Sequence, residues 1–165
     1  MNIYQKEEVS KMLLEFKCSN HRSIKEEVNF SMIAGSDNTS EELLKDFGNF
    51  RVLRSAVIYG ANGSGKSNFI SALLFMCDLV GNSINYQPGQ GVFQARHKLS
   101  AEDSSSEYRI QFVRNDIRYA YGFSVKKNLI QDEYLYYFPK GRQVKIFERN
   151  GLEIRPGDRY KGVFD

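Results

Sequence analysis

The sequence contains no tryptophan, and cysteine, histidine and proline are scarce, at two, two and three residues in 165. Cys18 and Cys77 are too few and too far apart to build a zinc set or a disulfide framework, and both read as buried free thiols. His21 and His97 are separated by a long stretch with no carboxylate or cysteine at ligand spacing, which argues against a metal site made of such side chains. Residues 2–8 are polar and lack the apolar segment of a secretory signal, and no run approaches the roughly 18 apolar residues needed to cross a bilayer. The expectation is a cytoplasmic protein with no membrane span. The formal net charge is only +3, but it is uneven, with 12 Lys/Arg against 8 Asp/Glu in residues 107–165. Those basic residues are spread along alternating segments and read as solvated strand faces, so nucleic acid is not indicated as a partner.

A chain of this length with 41% hydrophobic residues can bury one substantial core. Residues 1–11 read as an extension outside the fold. From Met12, apolar residues at 12, 14, 16 and 18 alternate with Glu15 and Lys17, which is strand patterning, and Val28, Phe30 and Met32 repeat it. Between them lies the polar loop Ser19-Asn20-His21-Arg22-Ser23. Residues 36–42 read as a second loop leading to a short amphipathic stretch around Leu43, Leu44 and Phe47, and Ala56-Val57-Ile58-Tyr59 is an apolar run of the kind that forms a fully buried strand. Phe69, Ile70, Leu73, Leu74, Met76, Cys77 and Val80 then recur at helical spacing until Gly81 offers a C-cap. Residues 82–106 carry no sustained period and read as a mobile connection. From residue 107 to 155 alternation returns, with turn chemistry at Asn115-Asp116, Lys127-Asn128, Lys140-Gly141-Arg142 and Asn150-Gly151, and an antiparallel β-meander is expected. The predicted fold class is α/β (α+β mixed), with a nucleotide-binding core over 12–81, the connection over 82–106 and an antiparallel subdomain over 107–155 of a partial domain running from 12 to 165.

Between the apolar run and the helical segment stands Gly60-Ala61-Asn62-Gly63-Ser64-Gly65-Lys66-Ser67, followed by Asn68. Crowded phosphate oxygens can be offset by backbone N–H groups pointing inward from a glycine-rich turn and a helix N-terminus. Gly60, Gly63 and Gly65 allow the close approach, Lys66 adds a cation for the β- and γ-phosphates, and the Ser67 hydroxyl is the ligand for a bridging Mg²⁺. The reading is a phosphate-binding loop (P-loop) for a nucleoside triphosphate, ATP with Mg²⁺. Turnover needs a second element, an apolar strand ending in Asp-Glu. The Asp-Glu pair after the loop, Asp132-Glu133, is preceded by Asn128-Leu129-Ile130-Gln131 and reads as a solvated strand start, not a catalytic pair, so no catalytic residue is assigned.

With Asn62-Gly63-Ser64-Gly65-Lys66-Ser67 in place, the sequence resembles the ABC-type ATPases of the RecF/SMC group. The stretch from Leu14 to Ile24 is similar to that group's opening, a strand followed by Asn-Phe-Arg-Ser, with His21 in place of the usual Phe. Tyr119-Ala120-Tyr121-Gly122-Phe123, Glu133-Tyr134-Leu135-Tyr136-Tyr137-Phe138-Pro139 and Phe147-Glu148-Arg149-Asn150-Gly151 are similar to one branch, the bacterial AAA-family, RecF-like ATPases linked to abortive infection and anti-phage defence. The resemblance spans about residues 12–155 and implies an N-terminal lobe. It implies that Arg22 touches the nucleotide phosphates or ribose, and that a glutamine of the connection senses Mg²⁺ and γ-phosphate. Gln87, Gln90 and Gln94 fall there, with Gln94 taken as the candidate.

The same resemblance places the signature, acidic strand and switch histidine in a C-terminal lobe. It implies a homodimer, or a second chain supplying that lobe, with a nuclease or other effector under its control. ATP hydrolysis is expected of the complete assembly and not of this chain alone. Two alternatives stand beside this reading: a self-sufficient, non-hydrolysing nucleotide-binding regulator, and a small P-loop kinase.

Overall fold

The computed structural model describes residues 11–35, 41–47, 50–87 and 90–163. The extension expected over 1–11 and most of the loop expected over 36–42 therefore lie outside the described residues, except that Lys11 already belongs to the first strand.

The fold is mixed α/β, with mostly antiparallel sheet and, among the described residues, one α-helix. The strands are β1 (Lys11–Ser19), β2 (Val28–Ser31), β3 (Leu44–Asp46), β4 (Arg51–Leu53), β5 (Ser106–Arg114), β6 (Ile117–Lys126), β7 (Leu129–Phe138), β8 (Val144–Asn150) and β9 (Glu153–Pro156); the helix α1 spans Lys66–Asn82. Seven strands form one antiparallel sheet in the order β2-β1-β5-β6-β7-β8-β9, and β3 and β4 form a separate pair. The expected meander is β5 to β8 with β9 added, and β1 extends it, since Phe16 faces Ile110 and Cys18 faces Tyr108 across the β1–β5 ladder. The segment expected to bind nucleotide and the meander thus share a sheet. The hairpin chemistry is realised in the backbone: Asn115 and Asp116 (φ 52 and 59) and Lys127 and Asn128 (φ 51 and 60) occupy the left-handed region that tight two-residue turns demand.

Helix α1 lies on one face of the sheet. Its stripe Phe69, Ala72, Met76 and Leu79 is buried against Phe16, Cys18, Tyr108, Phe123 and Val125. The rings interlock: Phe16 meets Phe69 edge-on at 5.4 Å, and Phe75, Tyr108 and Phe123 pack with 5.0 Å between successive centroids. On the opposite face a smaller core of Leu14, Met32, Val52 and Val113 seats the β3–β4 pair. Leu14 reaches that face because a bulge in β1 between Leu13 and Glu15 breaks the alternation.

The described residues correct or extend five expectations. Residues 56–59 form no strand: Val57 and Tyr59 are 84% and 90% exposed, because no strand of the described residues lies beside them. The amphipathic stretch near Leu43 is a 3-10 turn (Glu41–Leu43) running into β3. Gly81 does not end the helix, which continues to Asn82 and into a 3-10 turn (Ser83–Asn85), with the Ser83 amide donating to the Leu79 carbonyl. Cys77 is exposed on the outer side of α1 while Cys18 is buried, since the inner stripe passes through Met76. Finally, Lys66–Asn85 is long and apolar enough, by length and composition, to cross a membrane. Reading unbroken apolar runs hid this, because scattered Ser and Asn residues interrupt a helix that carries few charges; here its inner stripe is spent on the sheet.

Phe16 is fully buried where sheet and helix meet. Its replacement by alanine removes a ring and leaves a cavity, so Phe16→Ala is expected to lower the unfolding free energy by about 3–5 kcal/mol, read as a reduced midpoint in urea denaturation.

Candidate functional site

The loop from Gly60 to Lys66 sits at the N-terminus of α1, where the first helical amides have no intrahelical acceptor. Gly65 is the N-cap with φ 94, and Gly63 has φ 82, so both occupy the left-handed region open to glycine and costly for other residues. The helix has no side-chain cap and no acidic residue in its first turn, leaving its positive end to face outward uncompensated. Lys66 folds back over the loop, its Nζ donating to the carbonyls of Gly60 and Ala61, both at 2.8 Å. One further turn, the Ser64 amide to the Ala61 carbonyl at 3.2 Å, completes the loop. Ser67 is exposed at the second helical position.

Two hollows flank this loop. One, of about 620 Å³, lies between the β1–β2 loop and the P-loop, with Ser23, Lys25, Tyr59, Ser64, Lys66 and Phe69 among its walls. The other, about 500 Å³, lies between residues 56–58 and the outer side of α1, and Lys66, Ser67 and Ile70 help to line it. Lys66 borders both. A left-handed glycine loop, an uncapped helix start and a cation held on backbone carbonyls form a donor set that suits a polyphosphate, and the serine hydroxyl at the second helical position suits its Mg²⁺.

The β1–β2 loop comes up against the start of the helix. Asn68 Nδ2 donates to Ser23 Oγ at 2.6 Å, and a side-chain carbon built on Gly65 would stand 3.6 Å from that same oxygen. Arg22 has φ 51, its amide donates to the Ala95 carbonyl at 2.7 Å, and its side chain is exposed and makes no ion pair among the described residues. Gln94 is engaged throughout: its side-chain amide donates to the Ser104 carbonyl (3.0 Å) and Ser106 Oγ (3.1 Å), its Oε1 accepts from the Lys127 amide (3.0 Å), and its own amide donates to Asn128 Oδ1 (2.9 Å). Gln94 thereby ties the connection to the β6–β7 hairpin. Gln90 caps a local turn by accepting from the Gln87 amide at 3.0 Å.

Asp132 and Glu133 are committed to the sheet. Asp132 accepts from Asn150 Nδ2 at 2.9 Å and from Ser124 Oγ at 3.2 Å. Glu133 is half-buried rather than solvated, accepting from the Tyr121 hydroxyl at 2.8 Å and pairing with Arg149 at 3.4 Å. Burial and this carboxylate push the Tyr121 hydroxyl well above the usual tyrosine range.

The residue that sequence reasoning passed over is His21. It is 1% exposed, with Nδ1 2.8 Å from the Tyr108 hydroxyl and Nε2 3.1 Å from Ser71 Oγ on α1. Burial, reinforced by the Arg22 charge, lowers its pKa from 6.5 to about 4. The signal lay in a polar residue replacing an aromatic one in an otherwise matched motif, and its two partners are 50 and 87 residues away.

A glycine loop opening a helix that packs on the sheet is the arrangement that a P-loop, ATPase-like domain uses. Residues 55–160, well over half the chain, match the family model described as AAA domain, putative AbiEii toxin, Type IV TA system. The chain belongs to that AAA family, which places it in a toxin–antitoxin and abortive-infection context in which nucleotide and Mg²⁺ are the general cofactors. No curated protein matches it.

An imidazole that resists protonation when folded and accepts it when unfolded makes stability fall with acid. Stability contributed by neutral His21 is complete above pH 6.5 and declines as the pH falls from 6.5 towards about 4. His21→Phe is expected to flatten that part of a stability–pH profile measured by thermal melting; an unchanged slope would show that other groups set it.

Proposed function

We propose that this chain is the ATP-binding lobe of an ABC-type, RecF/SMC-like ATPase, and that turnover requires parts supplied by a further segment or a second polypeptide. The carrying observation is the loop from Gly60 to Ser67 with Lys66 folded across it. Lys66 exchanges the Gly60 and Ala61 carbonyls for the β- and γ-phosphates, the amides around Gly63, Gly65 and the first helical turn meet phosphate oxygens, and Asn68 steadies the loop from Ser23. Ser67 holds Mg²⁺, whose charge offsets that of the phosphates. Arg22, exposed in the β1–β2 loop one residue before Ser23 of the 620 Å³ hollow, is the candidate for the ribose or phosphates. Gln94 acts on the nucleotide only by exchanging its present partners.

The need for a complement is argued from exposed apolar surface. Exposed Val57, Ile58 and Tyr59, with Ile58 beside exposed Ile70 and Leu74, leave one edge and the outer side of the start of α1 uncovered. A parallel strand beside 56–59, carried on a layer that covers α1, would bury both, as sheets built on P-loop strands require. That layer is where an acidic strand and signature would arrive, by homodimer formation or from a C-terminal lobe. Control of a nuclease or other effector in defence is the role this arrangement would serve. The antiparallel continuation after α1 disfavours the small-kinase alternative, which needs a parallel one.

The test is binding of a fluorescent ATP analogue to the chain and to Lys66→Ala, with and without Mg²⁺. Hydrogen bonds to charged groups are worth about 1.5–3 kcal/mol, so Lys66→Ala is expected to weaken Mg²⁺-dependent binding by about tenfold or more. Equal affinity would overturn the assignment. The isolated chain is expected to release no phosphate above background, and Lys66-dependent release would refute the dependence on a complement.

A further inference from the structure

Behind the P-loop, a second set of contacts, joined to the first at Ser23 and Asn68, holds α1. Residues 20–24 form a tight loop between β1 and β2, closed by reciprocal 2.8 Å bonds between the backbones of His21 and Ile24, with Asn20 and Arg22 in left-handed conformation at φ 52 and 51. Left-handed backbone at a residue other than glycine persists where surrounding structure over-determines it. Here it does. Asn20, 5% exposed, donates to Ser104 Oγ and the Ser105 carbonyl, both at 2.9 Å, and accepts from the His97 amide at 3.0 Å; Ser106 Oγ donates to the Asn20 carbonyl at 2.6 Å. The loop is therefore anchored from behind to the start of β5 and to the connection.

From its front, two side chains reach α1: Ser23 takes Asn68, and His21 takes Ser71. Ser71 lies one helical turn beyond Ser67. The imidazole is braced on its other side by the Tyr108 hydroxyl and packs edge-on against the Tyr108 ring at 5.7 Å, with Phe75 at 6.3 Å.

We propose that His21 is a positioning residue, which fixes the distance of α1 from the sheet through Ser71 and so sets how well the first turn of the helix receives phosphate. The proposal rests on the nucleotide-binding reading above. Every buried polar side-chain atom of this set is partnered, so removing one member leaves its neighbour without that bond. A neutral imidazole offers one donor and one acceptor, and the hydroxyls of Ser71 and Tyr108 can each take either role, so the bridge closes in either tautomer. The charged or titratable groups facing His21 are Tyr108 from β5 and Arg22 from its own loop, with Cys18 of β1 beyond Tyr108; α1 presents only Ser71 and Phe75. Phosphate binding depends on sub-ångström placement of helix amides, so a small shift of α1 is felt as affinity.

The experiment compares the full chain with Ser71→Ala, His21→Phe and their double variant, keeping Lys66→Ala as the site control. Ser71→Ala removes one oxygen from a helix, and His21→Phe restores the ring type usual at this place in the resembling group. Each single variant is expected to weaken fluorescent ATP-analogue binding about fivefold, the factor expected of one buried hydrogen bond. The double variant is expected to lose about the same fivefold, not the roughly 25-fold of independent effects. Without nucleotide, amide hydrogen exchange over residues 66–71 should rise in all three, a change that a general loss of stability would instead spread over the sheet. Folded variants with unchanged binding and unchanged exchange would overturn the proposal. If the unmodified chain and Lys66→Ala bind alike, the nucleotide reading fails, and exchange over 66–71 alone decides whether His21 positions the helix.

Discussion

The seating of α1 on the antiparallel sheet is the contact from which the candidate site takes its geometry. A phosphate-binding loop is a backbone device, and its amides point correctly only if the helix that follows is held still. Here the hold comes from rings: Phe69 between Phe16 and Phe30, and Phe75 against Tyr108 and Phe123. Those rings stand on β1, β2, β5 and β6, which is why the N-terminal strands and the meander must be one sheet. Removing β1 would take away both the floor under the helix and the loop that reaches its first turn.

The same helix shows what the fold leaves unfinished. Buried along Phe69, Ala72, Met76 and Leu79, it also carries exposed Ile70 and Leu74, which lie beside residues 56 and 58. One side of the helix thus belongs to the core while apolar side chains on another remain uncovered. Membership of an AAA family gives that surface a context in P-loop ATPase architecture.

Much of this was legible in the sequence, for local reasons. Three glycines within six residues before Lys66-Ser67 specify a loop with positive φ that opens a helix, which the backbone adopts, and alternation with Asn-Asp or Lys-Asn turns specifies hairpins through neighbouring residues alone. What escaped depended on distant partners. The run at 56–59 has strand composition, but a strand exists only beside another strand. Cys77 looked buried because it shares a helical apolar pattern that splits into two stripes. His21 was read as a lone histidine because neither Ser71 nor Tyr108 is near it in sequence, and Glu133 as solvated because Arg149 approaches it only across the β7–β8 ladder. Gln94 was selected as a sensor by position, whereas its side chain is a tie between connection and hairpin, a role set by Ser104, Ser106 and Lys127.

A helix with two apolar sides poses a problem of orientation: turned about its long axis, α1 would offer Ile70 and Leu74 to the sheet in place of Phe69 and Met76, apolar for apolar. Oil has no handedness to choose between them. The choice falls to the few polar residues near its start, Asn68 and Ser71, which find Ser23 and His21 in one orientation and would point at nothing in the other. Two hydrogen bonds thus act as the keyway of the helix, adding little to its depth of burial and deciding which way round it fits.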